Sequence, residues 1–164
     1  MTESYLNEYM GIHYDPALAQ TKVQTIPYHV HSDTEDNVSV FIILVADIGD
    51  TNTTATEEAE ISYYLWITYT ADQWGEFERA LSVHGASMNV ERHTSTIRSA
   101  VYSEAYSITL SRSLLELREQ GGFDLMLLGK DRTASVSLPS LYISTFLQRV
   151  HRLKSTDNTF TPKM

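Results

Sequence analysis

The chain has 164 residues, 42% hydrophobic and 20% charged, with no cysteine. That composition supports one buried core and excludes a disordered chain, a disulfide scaffold, a thiolate zinc site and a cysteine nucleophile. Its formal charge of −9 is unevenly spread: residues 1–88 hold fourteen Asp/Glu against Lys22 and Arg79, a net of −12, while residues 89–164 hold ten Lys/Arg against seven Asp/Glu, a net of +3. No apolar run of about eighteen residues is present. Met1-Thr2-Glu3-Ser4-Tyr5 has neither a basic nor an apolar leader region, so a cytoplasmic protein that does not enter a membrane is expected.

From the N-terminus, Tyr5 to Gly11 reads as a short helix stopped by glycine, followed by an irregular stretch around Pro16. Residues Lys22 to His31 alternate as a strand, with Pro27 marking an edge or a bulge. A polar turn over 32–37 leads into Val38–Val45, a β-branched apolar run suited to a buried central strand. Asp47 to Glu60 is acidic, Thr-rich and aperiodic, and is expected to be a long mobile loop. Ile61, Tyr63, Leu65, Ile67 and Tyr69 then share one face of a strand, with Ser62, Tyr64, Trp66 and Thr68 on the other. Thr70-Ala71-Asp72-Gln73 has the chemistry of a helix N-cap, and Trp74, Phe77 and Leu81 follow at helical spacing before Gly85. Strands are expected over about Met88–Thr96 and Ala100–Leu110, then a helix capped by Ser111 and closed by Gly121-Gly122. Phe123–Leu128 and Thr133–Leu138 form a hairpin around residues 129–132, and Pro139 opens a last helix with Ile143, Phe146, Leu147 and Val150 as its apolar stripe.

These elements specify an α+β fold, antiparallel strands with capped amphipathic helices packed on one face. A single compact domain over 1–154 is expected, divisible into pseudo-related halves at about 20–85 and 86–154, with a flexible tail at 155–164. Three junctions look alike: Ile67-Thr68-Tyr69-Thr70, Ile108-Thr109-Leu110-Ser111 and Val136-Ser137-Leu138-Pro139 each run from strand to cap, with a large apolar residue (Trp74, Leu115, Ile143) four residues beyond. Their unequal spacing excludes a solenoid, and shared capping chemistry explains the likeness as well as repetition does.

Ile67 to Leu81, through Ala71-Asp72-Gln73-Trp74, resembles the last strand and helix of the positive-cofactor-four family of transcriptional coactivators. Thr133 to Pro139 running into Phe146-Leu147 resembles the corresponding segment of Pur-alpha repeats. The resemblance spans about fifteen residues at each place. It implies a curved antiparallel sheet backed by a helix that binds single-stranded nucleic acid, as a homodimer or an internal pseudo-dimer. Such binding needs aromatic faces for bases and cations for phosphates. The basic second half supplies the cations, so Arg92, Arg98, Lys130 and Arg132 are the expected phosphate contacts, with Tyr64, Trp66 and Tyr102 as base platforms. The alternative is an acidic protein-binding antagonist, immunity protein or nucleic-acid mimic of a viral or mobile element, presenting the first half to a basic host protein.

Chemistry beyond binding finds little support. His29 and His31 share a strand face near Asp33, a spacing used by zinc and copper sites, but a third ligand would have to be His13, His84, His93 or His151, and exposed strand histidines explain the pair more simply. Asp47 to Asn52 lacks the order and the closing glutamate of a calcium loop. There is no P-loop, nucleophile elbow or zinc-protease helix. The expectation is a non-enzymatic protein without cofactor or metal.

Overall fold

The computed structural model of the chain describes residues 1–33, 37–49 and 60–157. Thr2 caps the first helix, α1 (Glu3–Tyr9), by accepting the Tyr5 amide hydrogen. The stretch expected to be irregular after it is a hairpin, β1 (Gly11–Asp15) with β2 (Gln20–Gln24). Its turn rests on the Asp15 carboxylate, which accepts the Ala17 N–H at 2.9 Å, and on Ala19 at φ +48°, a reversal that needs no glycine. The single strand expected over 22–31 is likewise two, because the chain breaks at 25–27 before β3 (Tyr28–Asp33). Of the polar turn over 32–37, residues 34–36 lie outside the described residues.

β4 (Val38–Gly49) is the buried central strand its composition predicts, with Val40, Ile42, Leu44 and Ala46 wholly buried. It pairs with β2 and β3 along one side and with β5 (Ile61–Ala71) along the other. Adding β8 (Glu91–Arg98) and β9 (Val101–Leu110) gives a seven-stranded antiparallel sheet in the order β1-β2-β4-β5-β9-β8, with β3 beside β4. Of the loop expected at 47–60, Asp47 to Gly49 belong to β4, while 50–59 lie outside the described residues.

The largest correction falls on residues 70–84. β5 continues through Ala71, and Phe77–Ser82 form strand β6 rather than a helix. Two local features prevent the helix. Glu76 sits at φ +48°, in the left-handed region, and the amides of Gly75 and Glu76 are taken by a side chain from another strand, described below. The i, i+3, i+7 pattern of Trp74, Phe77 and Leu81 is real, but a strand partner overrides it. β6 pairs with β10 (Phe123–Gly129) and β7 (Ser87–Asn89), and β10 pairs with β11 (Thr133–Leu138), so a second, four-stranded sheet runs β11-β10-β6-β7. Leu81, which the helical spacing groups with Trp74 and Phe77, is 36% exposed on its outer face.

The other helices form as their caps foretell. Ser111 accepts the Leu114 N–H at 3.1 Å to start α2 (Arg112–Arg118), and Gly122 at φ +78° returns the chain to β10. Pro139 precedes α3 (Ser140–Asp157), whose Tyr142, Ile143, Phe146 and Val150 are buried. Of the tail expected at 155–164, residues 155–157 belong to α3, and 158–164 lie outside the described residues. The helices and the small sheet cover the same face of the large one. Tyr63 of β5 meets Phe146 of α3 edge-on, and Tyr69, six residues further along, meets Phe77 of β6 at 5.0 Å. The Tyr142 hydroxyl lies 2.6 Å from the Ile26 carbonyl, 3.2 Å from that of Ile42, and beside the Thr25 hydroxyl, tying α3 to β4 and the end of β2. Among the described residues no helix is long and apolar enough to cross a membrane.

Candidate nucleic-acid interface

The small sheet leaves the large one at a seam formed by the β5–β6 connection, the β10–β11 turn and the start of β8. Two adjoining hollows open along it and share Glu76. The first, about 300 Å³, is lined by Gln73, Trp74, Gly75, Glu76, Tyr102, Asp131 and Arg132. The second, about 600 Å³, includes Arg79, Arg92 and Lys130 around Phe77, Leu128 and Gly129. Four of the seven residues singled out from sequence therefore converge here: Arg92, Lys130, Arg132 and Tyr102.

Each is placed by local chemistry. Trp74 stands edge-on to Tyr102, ring centres 4.7 Å apart at 87°. The Arg132 guanidinium donates to the Tyr69 hydroxyl at 3.1 Å and to Asp72 at 3.0 Å. The hydrogen bond to Tyr69 is the main reason its pKa lies above the ordinary value, with Asp72 adding to it against the opposing effect of burial. Glu104 of β9, 1% exposed, accepts the Gly75 N–H at 2.6 Å and the Glu76 N–H at 3.4 Å, and its Oε1 lies 3.7 Å from Arg92. A buried carboxylate persists only with such partners. Here they fix the loop that carries Trp74. The Tyr106 hydroxyl accepts the Phe77 N–H at 3.2 Å, and burial, then its hydrogen bond to Glu104, pushes its pKa upward. Gly129 is required by close approach, since a Cβ there would lie 2.1 Å from the Gly75 carbonyl oxygen.

The remaining three expected residues lie elsewhere. Arg98 is exposed beside the tip of the β8–β9 hairpin, where Ser99 and Ala100 both take positive φ. Tyr64 and Trp66 are on the opposite, outer face of β5, Trp66 stacked on His93 at 4.8 Å and 25°. Burial raises the Tyr64 phenol pKa above its ordinary value, while the hydrogen bond it shares with Lys22 pulls the other way. Three seam residues escaped the sequence reading. Trp74 fits a helical spacing with Phe77 and Leu81, Arg79 is hidden in the acidic half, and nothing marks Glu104 among the other carboxylates.

Charge at the seam is mixed. Arg132 and Arg92 have acidic partners, whereas Arg79 and Lys130 make no ion pair among the described residues. Glu76, Glu78 and Asp131 line the same hollows. His29, weighed with His31 as a metal pair and set aside, bonds Ser39 at 3.2 Å, and the described residues contain no group of three metal-capable side chains. No family model matches the sequence, and no curated protein or solved structure matches the chain.

Proposed function

We propose that the protein is a non-enzymatic binder of single-stranded nucleic acid and that the seam receives the strand. The observation that carries this reading is the meeting of two half-buried rings, Trp74 and Tyr102, with Arg132 in one hollow, continuous with a second that holds Arg79, Arg92 and Lys130. Rings offer stacking to any base, and the neighbouring cations follow the phosphates. Unstacked single-strand bases can be splayed onto such rings. The resemblance of residues 133–147 to Pur-alpha repeats points the same way, whereas that of residues 67–81 falls with its expected helix, because Phe77–Ser82 form β6.

With Arg79 and Lys130 free of ion pairs among the described residues, log K should fall with log salt at a slope of about −1.4, far shallower than for a basic binding sheet. The test is fluorescence anisotropy with a labelled single-stranded thirty-mer at low salt. Trp74→Ala should cost about 1–3 kcal/mol of binding, and Arg79→Glu with Lys130→Glu should abolish it. Trp66→Phe, on the opposite face, should leave it intact. Absence of binding, or equal loss in the Trp66 and Trp74 variants, sinks the proposal. The antagonist reading draws on the acidic half, and five of its carboxylates (Glu35, Asp36, Asp50, Glu57, Glu58) lie outside the described residues.

A further inference from the structure

The outer face of the seven-stranded sheet differs in chemistry from the seam. The helices and the small sheet all pack on the inner face, and no described element covers the outer one. Strand register lays out its rows. Phe41, Thr68, Ala105 and Thr94 are successive cross-strand neighbours, as are Ser39, Thr70, Ser103 and Thr96. The next row holds Ile43, Trp66 and Ser107, and the bulge between Arg92 and Thr94 brings His93 over it, stacked on Trp66.

Hydroxyls and rings dominate these rows, and their one formal charge is Glu91, the neighbour of Ser107 on the edge strand β8. The face's charges stand at its margins: Lys22 with Asp47 at 3.8 Å, and Glu91 and Arg98 at the ends of β8. Its imidazoles are bound to serines, His93 Nε2 to Ser107 at 2.7 Å and His29 Nε2 to Ser39 at 3.2 Å, so each ring is held in place. Phe41 beside His29 is 39% exposed.

We infer that this face binds a neutral polysaccharide chain. Serine and threonine hydroxyls are both donors and acceptors and match a ligand whose edge is hydroxyls. Half-exposed rings cover the apolar C–H faces of sugar rings. A nucleic acid would need cations that these rows lack, and protein interface cores are poor in serine and rich in buried anchors. An uncharged ligand also suits a chain of net charge −9, because it is not repelled.

The protein's two tryptophans allow a direct test. In Trp74→Phe, Trp66 is the sole emitter, and titration with cellohexaose, xylohexaose, maltohexaose or chitohexaose should change its emission for at least one of them. Binding should be equal at about 0.05 M and about 0.5 M salt, since a neutral ligand is not screened. Thr68→Val with Thr70→Val, which keeps shape and removes two hydroxyls, should weaken it roughly tenfold. Trp66→Ala, whose binding is followed by isothermal titration calorimetry, should weaken it at least as much, with circular dichroism confirming the fold. The inference is overturned if no hexaose alters Trp66 emission, if binding vanishes with salt, or if sedimentation shows a dimer that shields Trp66.

Discussion

Glu104 shows how one buried side chain can set a loop. Removing it in Glu104→Ala leaves the Gly75 and Glu76 amides without an acceptor and Arg92 without its carboxylate. We predict a loss of about 3 kcal/mol, read as a lower urea midpoint with unchanged slope. Glu104→Gln keeps an acceptor oxygen and should lose less than half of that. A loss as large in Gln as in Ala would show that charge, not hydrogen bonding, holds the loop. The buried phenols make a separate prediction. Burial, first of all, pushes the Tyr142 pKa up, and does the same to Tyr106. Above pH ~10 the unfolded chain releases phenolic protons that the native state keeps, so native stability is full below that pH and falls as pH rises through it. Tyr142→Phe should be less stable at neutral pH and should lose stability less steeply between about pH 9 and pH 11. An unchanged slope would mean that Tyr142 ionises as readily in the native state as in the unfolded one.

At the scale of elements, strands with an alternating or β-branched pattern were legible, and so were helices with a serine or proline start. β4, β5, α2, the β10–β11 hairpin and α3 all follow from such signals. Residues 70–84 did not, because Trp74, Phe77 and Leu81 satisfy a helical period while the pairing of β6 with β10 and the Glu104 contact are non-local. That misreading is also why Trp74 was missing from the expected site and why Tyr64 and Trp66, visible as alternating residues, were grouped with cations that lie across the sheet. The β8–β9 turn was hard to delimit for another reason. Ser99 and Ala100 take φ of 49° and 62° without glycine or asparagine, which two-residue hairpins of this kind normally use. Ala100→Gly should therefore stabilise the protein by about 1 kcal/mol, measured by thermal unfolding. No gain would imply that the tip is held by contacts rather than strained. Gly129→Ala should act in the opposite sense, since its Cβ would force the Gly75 carbonyl away from the β10–β11 turn. It should weaken oligonucleotide binding along with stability.

At the seam, the charge split along the sequence does not survive folding as a split in space. Asp72 from the acidic half bonds Arg132 from the basic half, and Glu76 lines the same hollow as Lys130. This follows from strand order. β5 pairs with β9, and β6 with β10, so each sheet takes strands from both sides of residue 85. Neither half can complete a sheet alone, and one continuous set of buried side chains joins the two sheets, from Val40 and Leu65 to Ala80, Leu127 and Phe146. We therefore predict one cooperative unfolding transition. Single-tryptophan variants make it measurable, because Trp66 reports the large sheet and Trp74 the seam. Their urea curves should share one midpoint and coincide with far-ultraviolet circular dichroism. A fragment ending at residue 85 should show no cooperative transition, since β6 would have lost β10 and β5 would have lost β9. Separate midpoints for Trp66 and Trp74 would instead show that the small sheet and the seam open while the large sheet persists, and oligonucleotide affinity would then have to be corrected for the fraction of molecules with a closed seam.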